Sequence, residues 1–170
     1  MLFPTLDFAI FFLVVFAAAW SLAGSPVGRK AFLTSASYFF YGYWDWRLML
    51  LLAGSSLLNY WAGTALELEV RQDRRKLIVA IAVALNLTVL GFFKYYGFFI
   101  ESLAEILYRF EIERDLPFLE IVLPVGISFF TFQGISYVVD VYRRHVEPVR
   151  SPLDLLLYIS FFPQLVAGPI

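Results

Sequence analysis

The densest set of groups able to do chemistry lies between Leu123 and Arg144. Pro124 and Gly126 weaken any helix at its start, and Ser128, Thr131, Gln133, Ser136, Tyr137 and Asp140 follow in an otherwise apolar run. Gln133, Ser136, Tyr137 and Asp140 are spaced by three, one and three residues, which puts all four on one helical face. Such a stripe against lipid is expensive, so it is expected to face protein or water. These four residues are candidates for the lining of a substrate path or tunnel. Asp140 has Arg143 and Arg144 one turn further on as ion-pair partners.

Other groups admit both a chemical and a structural reading. Lys94 lies in Gly91-Phe-Phe-Lys-Tyr-Tyr-Gly97. There it either binds an anionic substrate or snorkels to the headgroups among interfacial aromatics. Gln164, beside Pro163, joins the candidate path. Asp45 and Arg47 flank Trp46 and read as an interfacial ion pair. Ser55, Ser56, Asn59, Asn86 and Thr88 read as hydrogen-bonding contacts between helices, with Gly54, Ala80 and Ala84 allowing close approach. His145 is the only histidine. Histidine is the commonest proton-transfer base, but His145 follows two arginines and is read as an ordinary interfacial residue. No residue is assigned a catalytic role. No zinc spacing, phosphate-binding loop or dinucleotide fingerprint is present, and the absence of cysteine excludes disulfides and thiolate metal sites. No metal or bound cofactor is expected.

The elements that must hold these groups are set by the composition. Of 170 residues, 61% are hydrophobic and 19% aromatic, and the mean hydropathy is +0.75. Soluble domains are about 45–50% apolar, and the excess here is too large for one soluble core. The reading is an all-α, polytopic transmembrane helical bundle, because backbone groups in lipid must be satisfied internally and the alternation of a barrel strand is missing. Apolar runs place span 1 at about Phe3–Ala23, span 2 at Gly28–Trp44, span 3 at Leu48–Leu66, span 4 at Leu77–Phe93 and span 5 at Ile121–Val139. Span 6 starts near Leu153 and is broken by Pro163. Between spans 4 and 5, Phe99, Leu103, Ile106, Leu107 and Phe110 recur at helical spacing, with Glu105 and Arg109 four apart. This segment reads as an interfacial amphipathic helix. Ser151-Pro152-Leu153-Asp154 has the residue order of a helix start: a cap, a proline at the first position and a capping-box acid.

A net charge of −1 gives no bulk attraction to nucleic acid or anionic lipid, so the placement of charge carries the information. Arg29, Lys30, Arg71, Arg74, Arg75, Lys76, Arg143, Arg144 and Arg150 fall on one side if all six spans cross. Only Arg47, Lys94, Arg109 and Arg114 remain for the other side. The positive-inside bias then favours six crossings with the N-terminus outside.

Six stretches in order resemble the membrane-bound O-acyltransferase family. They are Ser37-Tyr-Phe-Phe-Tyr-Gly-Tyr-Trp44, Leu58-Asn-Tyr-Trp-Ala-Gly63, Leu90-Gly-Phe-Phe-Lys-Tyr95, Leu123-Pro-Val-Gly-Ile-Ser-Phe129, Ile135-Ser-Tyr-Val-Val-Asp-Val-Tyr-Arg143 and Phe161-Phe-Pro-Gln-Leu-Val-Ala-Gly-Pro169. The resemblance implies that residues 1–170 form the N-terminal portion of one such membrane domain, an incomplete version of the fold. It implies transfer of acetyl groups from a cytoplasmic donor, acetyl-CoA, across the cytoplasmic (inner) membrane of a bacterium to an exported polysaccharide such as alginate. Periplasmic acetyltransferases would be the partners, and membrane lipids the surroundings. The family's hallmark catalytic histidine lies in a later segment and does not correspond to His145, so the chain is expected to be a fragment that is inactive alone. Two other classes stay open: a small transporter or channel-like protein, and a non-catalytic membrane subunit that docks a partner.

Overall fold

The computed structural model describes residues 6–43, 45–109 and 126–167, and those residues form helices joined by short connections, with no strand among them. The helices are α1 (Leu6–Ser21), α2 (Pro26–Gly42), α3 (Trp46–Leu68), α4 (Gln72–Arg109), α5 (Ile127–Arg143), α6 (Pro152–Ser160) and α7 (Phe162–Ala167). The all-α expectation is met. Residues 72–99 of α4 form a helix long and apolar enough to cross a bilayer, and α1 is a shorter apolar helix.

Local chemistry explains most of the boundaries. Ser25 caps α2 by accepting from the Gly28 backbone N–H at 3.3 Å, with Pro26 at the first position where no N–H is needed. Asp45 caps α3, its Oδ1 accepting from the Arg47 backbone N–H at 2.8 Å, while the Arg47 guanidinium lies over the Trp46 ring. The expected Asp45–Arg47 side-chain pair is thus replaced by a cap and a cation–π contact. At α6, Pro152 occupies the first turn as expected, but the Ser151 side chain makes no cap bond. Asp154 turns instead to Lys30 of α2, 2.6 Å away.

Span 4 and the amphipathic segment differ from expectation: they are one helix of 38 residues, about 57 Å long at 1.5 Å per residue. Gly91 and Gly97 weaken such a helix by only about 1 kcal/mol each, and no proline interrupts it. The part of the segment beyond Arg109 lies outside the described residues, as do Trp44 and residues 121–125 at the start of span 5. The helix break expected near Pro163 is present. Phe161 leaves helical geometry (φ −54°, ψ 108°) between α6 and α7. The cause is Pro163, which has no N–H and whose ring excludes a carbonyl four residues back.

Helix α5 packs against both α3 and α4, and α6 packs against α2 and α3. Two glycines allow the α3–α5 contact. A Cβ on Gly63 would stand 2.6 Å from Tyr137 Oη, and one on Gly134 would collide with the Asn59 amide. Gly54 has open space around it, and Ala80, Ala84 and Thr88 are exposed, so the close approach is made elsewhere than the sequence indicates. Leu52, Leu66, Phe130, Val138, Leu155 and Ile159 form the central apolar core. A second cluster ties α1 to α2 and α7 through Val15, Phe40 and Phe162, with Phe11 and Phe162 edge-to-face at 5.2 Å.

Candidate functional site: a buried polar belt and a basic end

The buried polar residues of α3, α4 and α5 form a belt across the bundle rather than one stripe. Asn59 of α3 and Asn86 of α4 are both buried and exchange hydrogen bonds. Asn59 Nδ2 donates to Asn86 Oδ1 at 3.2 Å, and Asn86 Nδ2 donates to Asn59 Oδ1 at 3.0 Å. Their second amide protons go to Ser55 O and Ala82 O, both at 2.8 Å. The helix–helix role read from the sequence holds for this pair. Beside it, Leu50, Leu51, Leu58, Leu85 and Val89 wall a pocket of about 280 Å³ that Ser55, Asn86 and Thr131 also line.

The candidate face of α5 divides. Gln133 is buried and its Nε2 donates to Tyr158 O of α6 at 2.8 Å. Tyr137 is buried, and its hydroxyl accepts from the Val149 backbone N–H at 3.2 Å, pinning the α5–α6 connection. Ser136 is exposed, with its hydroxyl 3.5 Å from Asp140 Oδ2. Asp140 pairs not with the arginines but with His145, Oδ1 to Nδ1 at 3.9 Å. The backbone explains why. The chain leaves α5 with the His145 N–H donating to Asp140 O and the Arg144 N–H to Val141 O, while Arg144 is in the left-handed region at φ 62°. This Schellman turn folds His145 back over the last turn of the helix. Lys94 is exposed with its ammonium over the Tyr95 ring, and Gln164 is exposed on α7. Neither joins the buried belt.

Where α6 breaks, a polar contact forms through Ser37, a residue the sequence does not single out as a polar contact. Ser37 Oγ of α2 accepts from the Phe162 N–H at 3.2 Å, so a side chain from another helix satisfies the first amide after the break. Ser37, Ser56 and Ser160 are fully buried.

The basic residues gather at one end. Lys30 meets Asp154 at the starts of α2 and α6. Gln72 at the start of α4 donates to Tyr142 Oη at the end of α5, at 3.0 Å. Tyr60, in the last part of α3, donates to Arg150 O. These contacts put the start of α2, the α3–α4 turn and the α5–α6 connection together, and with them the nine bases named above. Arg75 is the buried one. Its guanidinium donates to Leu66 O, to Glu69 O and, at 3.0 Å, to Tyr142 O, and it lies over the Tyr142 ring. It therefore closes the C-terminal ends of both α3 and α5. Glu69, half-buried at the same turn, is held below the usual carboxylate range, chiefly because its Oε1 accepts from the Arg71 backbone N–H, with Arg74 adding a nearby positive charge.

An all-helical bundle with buried polar contacts and a basic end agrees with the family the motif order resembles, the membrane-bound O-acyltransferases, and proteins named as O-acetylases match the chain along its whole length. Over its full length it is 39% identical to a protein of Pseudomonas aeruginosa named as a probable alginate O-acetylase, AlgI, and 36% identical to a protein of the same name from Azotobacter vinelandii. Over 87% of its length it is 32% identical to a peptidoglycan O-acetyltransferase of Helicobacter pylori. The chain spans about a third of the length of these relatives, 32%, 34% and 32% respectively. No family model and no solved structure matches it. Some of the contacts just described fall in the stretches that carry the resemblance: Ser37 lies in one, Asn59 and Gly63 in the next, Tyr137 and Asp140 in a third, and Phe162 in the last.

Proposed function

We propose that this chain forms the front portion of a membrane O-acyltransferase. Acetyl groups taken from a cytoplasmic donor, acetyl-CoA, would cross the bacterial inner membrane through the completed protein to an exported polysaccharide. The observation that carries this reading is similarity along the whole chain to proteins named as probable O-acetylases of alginate, and along 87% of it to one named as an O-acetyltransferase of peptidoglycan. In this reading α1 to α5 cross the membrane, α6 and α7 form the broken sixth span, and the N-terminus lies outside. The basic end supports that orientation by the positive-inside bias. Polymer acceptors and periplasmic acetyltransferase partners follow from the same similarity.

These 170 residues by themselves are proposed not to transfer acyl groups. His145, the only histidine, is exposed at the basic end beside Asp140, separate from the buried belt. The belt's role is to fix the helices around the path. The test is a chimera in which this chain replaces the matching third of the Pseudomonas aeruginosa relative. Restored acetylation of the exported polymer is expected. A chimera that inserts and accumulates normally but leaves the polymer unacetylated would contradict the proposal. Transfer of labelled acetyl by the 170-residue chain alone would overturn the claim of inactivity.

A further inference from the structure

The pocket of about 280 Å³ beside the asparagine pair is lined by α3, α4 and one residue of α5. Its depth follows from where its residues fall along their helices. Ser55 and Leu58 lie near the middle of α3 (Trp46–Leu68). About 20 Å of helix separates Leu85 from either end of the apolar run 72–99 of α4. In a helix that crosses a bilayer, that is the depth of the hydrocarbon midplane. The rim is apolar and faces out of the bundle. Leu50 is 54% exposed and Leu85 46%, and a Cβ on Gly54 would meet nothing within 4 Å. The floor is buried and formed by Asn86 and Thr131.

The lining decides what can enter. It contains no charged side chain, so a headgroup or a carboxylate would enter without a partner, at a large desolvation cost. The Asn86 amide is spent: both its protons are donated, to Asn59 Oδ1 and Ala82 O, and its Oδ1 accepts from Asn59. A polar ligand would have to displace those bonds. The hydroxyls of Ser55 and Thr131 are the other polar groups of the lining, against walls of leucine and valine. At the bilayer midplane the molecules at hand are the ends of lipid chains, because the headgroups lie roughly 15 Å away on either side. A methylene chain needs no hydrogen bond and gains dispersion contact along its length. It also keeps water from the Asn59–Asn86 bonds, which are stronger in a dry surrounding.

We propose that this pocket is a lipid site that takes the end of one hydrocarbon chain of a membrane phospholipid. The proposal rests on the membrane-crossing part of the reading above and not on acyl transfer. The experiment is photo-crosslinking of the chain in nanodiscs doped with a phospholipid that carries a diazirine at the end of one acyl chain. A second phospholipid with the diazirine next to the headgroup serves as the depth control. Leu87 is the internal reference: it lies two residues from Leu85 on α4, is as exposed at 45%, and does not line the pocket. The chain-end probe should label Leu58 and Leu85 several-fold more than Leu87, and the headgroup probe should label none of the three. Gly54→Leu, which fills the rim without a clash, should lower labelling of Leu58 and Leu85 several-fold and leave Leu87 unchanged. Labelling of Leu58 and Leu85 no higher than Leu87, or unchanged by Gly54→Leu, overturns the proposal. So does its disappearance in the full-length chimera, since a protein segment would then fill the pocket. A Leu87 that neither probe labels overturns the membrane crossing of α4, and the proposal with it.

Discussion

Asn59 and Asn86 join α3 to α4 through two reciprocal amide hydrogen bonds, and each sends its remaining amide proton to a backbone carbonyl of its own helix. Removing one partner leaves the other amide buried and half-satisfied. Asn86→Leu should destabilise the bundle by about 1–3 kcal/mol. The double variant Asn59→Leu/Asn86→Leu should lose less than the sum of the two single changes, because no orphan remains. Unfolding in mixed detergent micelles measures both, and strictly additive losses would count against a shared pair.

Glycine positions separate into contacts and open space. Gly134→Ala drives a methyl group into the Asn59 amide, and Gly63→Ala brings one against Tyr137 Oη. Each is expected to destabilise by about 1–3 kcal/mol through overpacking. Gly54→Ala meets nothing within 4 Å and removes a helix-weakening residue, so it should be neutral or mildly stabilising. Equal effects at all three sites would contradict the packing described.

Arg144 holds the left-handed position of the α5 Schellman turn at φ 62°, where glycine has no steric penalty. Arg144→Gly should stabilise by roughly 1 kcal/mol, measured by the same unfolding assay. Arg144→Val should destabilise, since a β-branched residue is the least tolerant of that conformation.

Arg75 is the buried base of the basic end. Arg75→Leu leaves Leu66 O and Tyr142 O without their donor and should destabilise by about 1–3 kcal/mol. Arg75→Lys should recover only part of this, because an ammonium lacks the planar fork that spans carbonyls on two helices. Limited proteolysis at the α3–α4 and α5–α6 connections is the local readout.

The all-helical architecture, the grouping of the nine bases and the break at Pro163 were legible in the sequence, because each follows from a local rule: apolar run length, charge position and the missing proline N–H. The family resemblance was legible from the order of six short stretches. What escaped was tertiary. Nothing in the spacing of Gln133, Ser136, Tyr137 and Asp140 says that two of them face inward and Ser136 faces outward; that depends on how α5 is rotated against α3. Asp140 met His145 rather than an arginine because a positive φ at a non-glycine residue folded the chain back, and residue type gives no sign of that. Gly63 and Gly134 looked no different from Gly54 until their opposite partners were known. The contact of Ser37 Oγ with the Phe162 N–H spans more than a hundred residues and carries no local periodicity.

In the proposed arrangement the bundle crosses the membrane with its basic end in the cytoplasm. The most direct measurement is labelling of single cysteines by a membrane-impermeant thiol reagent in intact spheroplasts, in a chain that has no native cysteine. Glu69→Cys and Glu147→Cys, both at the basic end, should react only after permeabilisation, whereas Tyr43→Cys at the opposite end should react before it. Labelling of Glu69→Cys or Glu147→Cys from outside intact spheroplasts, or protection of Tyr43→Cys there, would contradict the account.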